Sequence, residues 1–104
     1  MSMRELKVQI IRFVDDCQPG VVECEFHDAN MTLHRVIDKV PIFTYKTLWS
    51  NSEYPQPGTI RCAVLEMLSE NVKPRLAKVT IDRPDGLKST HGQTDFLINE
   101  PDLI

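Results

Sequence analysis

Val21-Val22-Glu23-Cys24-Glu25-Phe26-His27 places Val22, Cys24 and Phe26 on one side of an extended chain and Glu23, Glu25 and His27 on the other. A period of two with one apolar and one polar set is the pattern of a strand whose sheet is dry on one face and wet on the other. The preceding Asp15-Asp16-Cys17-Gln18-Pro19-Gly20 has turn chemistry: Pro19 fixes φ and Gly20 is free to take a positive one. Before that turn, Leu6, Val8 and Ile10 alternate with Lys7 and Gln9, and Ile11 and Phe13 then join the apolar set up to Val14. Leu6–Val14 and Val21–His27 therefore predict an antiparallel hairpin.

Asp28-Ala29-Asn30-Met31 turns the chain again. With Ala29 and Asn30 at the tip, Phe26 pairs with Leu33, Val22 with Ile37 and Glu25 with His34, leaving Arg35 opposite Cys24 as the one misfit. Further strands are expected over Thr59–Leu68, Leu76–Asp82 and Thr94–Asn99. The first two are joined by Ser69-Glu70-Asn71-Val72-Lys73-Pro74-Arg75, and Asp82-Arg83-Pro84-Asp85-Gly86 is a turn. Pairing Leu65 with Val79 and Ala63 with Ile81 sets Glu66 opposite Lys78 on the wetter face. Phe96 and Ile98 face inward on the last strand. The expected fold is all-β, a six-stranded antiparallel small barrel, with a two-sheet sandwich as the alternative.

Between Val40 and Thr59 the alternation stops. The segment 41–58 ends in Pro55-Gln56-Pro57-Gly58, too restricted for a continuous helix or strand, and Thr44 is placed to cap a single helical turn. It holds Phe43, Tyr45, Trp49 and Tyr54, four of the seven aromatic residues. Long loops in compact domains are commonly functional, and Tyr and Trp are enriched among residues that dominate interfaces. The competing reading makes the rings a plug for an open barrel end. Both hold if Phe43 and Tyr54 pack while Tyr45 and Trp49 stay exposed.

The 104 residues suffice for a single domain, 1–104, with a flexible tail expected at Glu100-Pro101-Asp102-Leu103-Ile104. No run reaches the ~18 apolar residues that cross a bilayer as a helix, and the start has no apolar leader segment, so the expected address is the cytoplasm. Three cysteines, an odd number, fit reduced thiols better than a disulfide framework. A net charge of −3, with Glu23 and Glu25 on the wet face, disfavours nucleic acid.

Catalytic and metal signals are weak. Cys24 and His27, with His34 and Cys17 nearby in sequence, superficially resemble metal ligands, but positions three apart point to opposite faces of a strand, so Cys24 and His27 do not converge on one ion without a bulge. Asp15-Asp16 and the pair Asp82 and Asp85 read as turn carboxylates, and their spacing matches no calcium loop. Ser89-Thr90-His91-Gly92 reads as a turn rather than a nucleophile with its base. The four glycines are dispersed and form no phosphate cradle. No cofactor and no metal is expected.

The leading expectation is a non-enzymatic protein-binding module, such as a toxin-neutralising immunity protein or an adaptor. It engages another protein through Phe43, Tyr45, Trp49 and Tyr54, with nearby acidic turns to attract or block a basic partner. The alternative is a small hydrolase or ligand-binding barrel with a pocket at Arg83, Asp85 and His91. Either would be a monomer or small homo-oligomer, without nucleic acid or membrane as partner.

Ile37-Asp38-Lys39-Val40-Pro41, Tyr54-Pro55-Gln56-Pro57-Gly58, Asp82-Arg83-Pro84-Asp85-Gly86 and Ser89-Thr90-His91-Gly92-Gln93-Thr94 resemble stretches of small uncharacterised bacterial proteins of similar length. The resemblance implies a bacterial, cytoplasmic single-domain protein and assigns no activity. Against that pattern, Met31 stands where a turn glycine would be expected, and Asp85 where an aromatic would be.

Overall fold

Alternation of Leu6, Val8 and Ile10 with Lys7 and Gln9 carries the first strand further than the apolar pattern alone requires. In the computed structural model it runs over Ser2–Asp15 (β1). The structure describes residues 2–68, 71 and 73–104. Met1 and, in the expected turn before residue 76, Ser69, Glu70 and Val72 lie outside the described residues. β2 (Val21–His27), β3 (Leu33–Lys39), a helical turn α1 (Val40–Phe43), β4 (Gln56–Leu68), β5 (Leu76–Thr80) and β6 (Asp95–Asn99) follow, then a 3₁₀ turn at Glu100–Asp102.

The strands form one antiparallel sheet in the order β3-β2-β1-β4-β5-β6, curled into a half-barrel. It is the six-stranded small-barrel architecture expected from the periodicity, rather than a sandwich of two sheets. β1 is the spine because its early residues pair with β4 and its later ones with β2. The free edge of its early half takes up the chain end: Leu6 bridges Leu103, and the Ile104 N–H donates to Glu5 O at 2.8 Å. The segment 100–104, expected to be a flexible tail, is thus tied down, with Leu103 buried at 6% exposure. The other margin, between β3 and β6, is stitched without a ladder. The Ala29 N–H donates to Leu97 O at 2.7 Å, and the Thr90 N–H to Arg35 O at 2.8 Å.

The inward set includes Leu6, Ile10, Val22, Cys24, Val36, Ile60, Cys62, Val79, Ile81 and Ile98, each at most 1% exposed. Two registers differ from the sequence expectation. β3 pairs one residue further along β2, with Phe26 opposite His34, Cys24 opposite Val36 and Glu23 opposite Ile37. A one-residue slip exchanges the faces of a strand. Leu33 and Ile37, expected inside, are each 40% exposed, while Val36 and His34 turn inward. The Arg35 misfit disappears, since Arg35 now lies opposite Glu25 and its guanidinium reaches Glu25 and Glu23 at 3.8 Å.

The extra residue is absorbed in the turn. Met31 adopts φ 63°, the left-handed region where a glycine would relieve strain, and the Asp28 carboxylate accepts from the Asn30 and Thr32 N–H groups at 2.8 and 3.0 Å. Gly20 has a different role from the positive φ expected of it. A Cβ there would lie 2.6 Å from the Phe13 ring, so glycine provides room for that ring.

Between β4 and β5, Glu66 does face Lys78, but a bulge after Val64 makes Val64 the partner of Val79 and turns Leu65 outward, 36% exposed. Leu65→Lys is therefore expected to change the unfolding free energy by less than about 1 kcal/mol, because a lysine stem can lie along the surface with its ammonium in water. Urea denaturation checks this. A loss of several kcal/mol would restore Leu65 to the core.

Candidate interaction surface

Pro41 stands in the first turn of α1, where its missing N–H leaves no intrahelical bond unmade. The Val40 N–H donates to Gly20 O at 2.9 Å, fastening the turn beside the β1–β2 connection. The Thr44 N–H closes the turn on Val40 O at 3.2 Å, so Thr44 caps the single helical turn, at its C-terminal end. α1 sends Val40 and Phe43 into the core, at 5% and 1% exposure. Gly58 on β4 permits this docking, since a Cβ there would come within 3.0 Å of both Phe43 O and the Ile10 side chain.

Beyond Thr44 the chain forms a short, self-bonded loop. The Lys46 N–H donates to Thr44 Oγ1 at 3.1 Å, the Trp49 N–H to Ser52 Oγ at 2.9 Å and the Ser52 N–H to Trp49 O at 3.1 Å. The Tyr54 hydroxyl reaches back to donate to Trp49 O at 2.8 Å, and partial burial pushes that phenol's pKa up. Leu48 points into the core. The four aromatic residues divide by depth: Phe43 is enclosed, Tyr54 packs against the core margin, Trp49 is 57% exposed and Tyr45 is fully exposed. Phe43 and Leu48 anchor the segment, while Tyr45 and Trp49 are left at the surface.

Tyr45 stands on a ridge between two hollows. One, of about 670 Å³, lies between the Asp16–Gly20 turn and the 40–50 segment, with Phe13, Pro19, Leu48 and Trp49 among its walls. The other, of about 770 Å³, is bounded by Glu5, Lys7, Ile42, Thr59, Arg61 and Asp85. Pro41, Thr44 and Tyr45 line both. Comparison with family models, with curated proteins and with solved structures finds no match to this chain.

The Arg83, Asp85 and His91 trio is not drawn together by any bond among the described residues. Asp85 is taken by Arg61, whose Nε–H donates to Oδ2 at 3.1 Å, and this pairing raises the guanidinium's pKa. Arg83 and His91 are exposed, and the His91 backbone N–H donates to Ser89 Oγ at 3.2 Å. Arg61 and Asp85 are 24 residues apart, and nothing local in the sequence marks them as partners.

All three thiols are held above their ordinary pKa, which disfavours the thiolate. Burial pushes Cys24 up and Cys62 to about 11, while the Asp15 carboxylate, accepting from the Cys17 thiol, raises the exposed one. No group of His, Cys, Asp and Glu among the described residues is arranged to hold a metal ion. No helix among them is long and apolar enough to cross a membrane.

A second polar constellation escaped the sequence reading. At the β3–β6 margin the His34 ring meets Phe96 at 4.7 Å and Phe26 at 5.5 Å between centroids, and His34 Nε2 lies 2.8 Å from Asp28 Oδ2. Both side chains are nearly enclosed, at 9% and 12% exposure. Only the true register of β3 brings His34 inward.

Proposed function

We propose that this protein is a non-enzymatic binding module that engages another protein through Tyr45 and Trp49, presented by the loop that Phe43 and Leu48 fasten to the half-barrel. The observation that carries this reading is Tyr45, fully exposed two residues beyond the most deeply anchored ring of the segment. An aromatic side chain left in water on a fixed support loses little conformational entropy on binding and buries a large area, the profile of an interface anchor. The net charge of −3 and the Asp15-Asp16 turn beside the ridge favour a basic partner, and neutralisation of a basic toxin is one concrete form of the role. Free thiols at Cys17, Cys24 and Cys62 fit action in a reducing cytoplasm.

The doubly substituted Tyr45→Ala/Trp49→Ala protein is expected to keep its circular dichroism and its denaturation midpoint to within about 0.5 kcal/mol, because both rings are largely outside the core. It should lose, relative to wild type, a partner captured from its native source and identified by mass spectrometry. Equal recovery of that partner by both proteins would refute the assignment.

A further inference from the structure

We infer that the hollow between the Asp16–Gly20 turn and the Thr44–Ser50 loop receives an extended, proline-containing segment of the partner, with a basic side chain seated at Asp16. This inference rests on the binding-module reading and adds the chemistry of the ligand. The floor and walls offer Phe13, Pro19, Leu48, Tyr45 and Trp49, a set of rings and apolar faces with room for about 670 Å³ of guest. Both walls are loops, and of the strands only β1 reaches the hollow, through Phe13, so rings and apolar side-chain faces dominate what a guest meets there. Proline suits such a surface: its ring stacks flat on tyrosine and tryptophan, and a polyproline-II segment is already extended, so it gives up little entropy on docking.

Charge sets the flanking residue. The Asp15 carboxylate is occupied by the Cys17 N–H and thiol, both at 3.0 Å. Asp16, which lines the hollow, makes no hydrogen bond or ion pair among the described residues, so its charge is open to a guest. Lys46 belongs to the loop side of the same hollow and disfavours a second cation there. A single arginine or lysine at the turn end, with prolines crossing Trp49 and Tyr45, satisfies both. An amphipathic helix fits less well, because it needs a long apolar trough, whereas this one is bordered by the charged Asp16 and Lys46.

Trp49 is the sole tryptophan, so its fluorescence reports occupancy directly. The test titrates the intact protein with three synthetic peptides: a short proline-rich one carrying an arginine, its proline-to-alanine counterpart and its arginine-to-glutamate counterpart. The first should shift Trp49 emission to the blue in a saturable way, with each counterpart about tenfold weaker, a difference of roughly 1.4 kcal/mol. Asp16→Asn should abolish the preference for arginine over glutamate while keeping the preference for proline over alanine. Tyr45→Ala should weaken all three peptides.

Absence of a saturable response, or equal affinity for the proline and alanine peptides, overturns the inference. If in that case the Tyr45→Ala/Trp49→Ala protein still loses a partner that wild type captures, only the ligand chemistry is wrong and the binding module stands. If that partner is captured equally, both readings fall.

Discussion

Replacing Phe43 with alanine is expected to lower the unfolding free energy by about 3–5 kcal/mol, the usual range for removing an enclosed phenylalanine. Phe43 is 1% exposed and is the largest side chain that the core encloses completely. It sits on a helical turn of four residues, too short to hold itself by backbone bonding, so its place depends on packing. A domain of this size typically has only ~5–15 kcal/mol of stability, and this one ring therefore accounts for a large part of it. Phe43→Leu should recover most of the loss, since a branched apolar side chain refills part of the cavity. Guanidinium denaturation of the three proteins measures both effects. The consequence reaches the surface: without its anchor the turn no longer fixes Tyr45, and partner affinity should fall with Tyr45 itself intact. A loss below about 1 kcal/mol would show that the loop is not docked through Phe43.

The parts of the fold that were legible in the sequence are those where only one apolar set exists. Val22, Cys24 and Phe26 alternate with Glu23, Glu25 and His27, and all three apolar residues are buried at 5% exposure or less. Polar residues at alternate positions leave no competing face. Leu33-His34-Arg35-Val36-Ile37 offers two, one with Leu33 and Ile37, the other with Val36. Counting apolar residues favours the pair, yet the structure buries Val36, because the carboxylate of Asp28 stabilises a turn one residue longer. Ala63-Val64-Leu65 fails similarly, since contiguous apolar residues do not reveal which one a bulge expels.

Glu23 shows a further limit. It points outward as its alternation requires, but Arg12 at 3.0 Å and Arg35 at 3.8 Å leave it only 7% exposed. Cross-strand neighbours decide that burial, and they are known only once register is. In the candidate site, the division between enclosed Phe43 and exposed Tyr45 follows from side-chain chemistry and was accessible from residue type. The Arg61–Asp85 pair and the inward turn of His34 depend on chain reversals far apart in sequence.

That inward turn leads to the second large effect, in acid. Partial burial by itself would push the Asp28 carboxyl up, but hydrogen bonds from His34, Thr32 and Asn30 outweigh it, and the net shift is downward. A carboxylate whose pKa is lower folded than unfolded stabilises the fold fully above its unfolded value, about 3.9, and loses that contribution as pH falls through the lower folded one. Being ionised at neutral pH, it can only accept, so His34 Nε2 carries the hydrogen between them.

Asp28→Ala removes all three acceptances and leaves a polar ring edge enclosed against Phe26 and Phe96. The expected cost at neutral pH is about 2–3 kcal/mol, from loss of charged hydrogen bonds and an unsatisfied imidazole. The difference in stability between wild type and variant should then shrink as pH drops below about 4. Asp15 is also shifted downward, so wild-type acid unfolding alone does not isolate Asp28, whereas the difference between the two proteins does.

Hydrogen exchange locates the effect. The Ala29 amide, bonded to Leu97 O across the β3–β6 margin, should lose protection in the variant well before amides of the β1–β4 ladder do. His34→Phe separates the contributions, because it removes the imidazole while leaving Asp28 its two backbone donors. If Asp28→Ala costs less than about 0.5 kcal/mol and Ala29 remains protected, the margin is held by ring packing alone and the carboxylate is incidental to it.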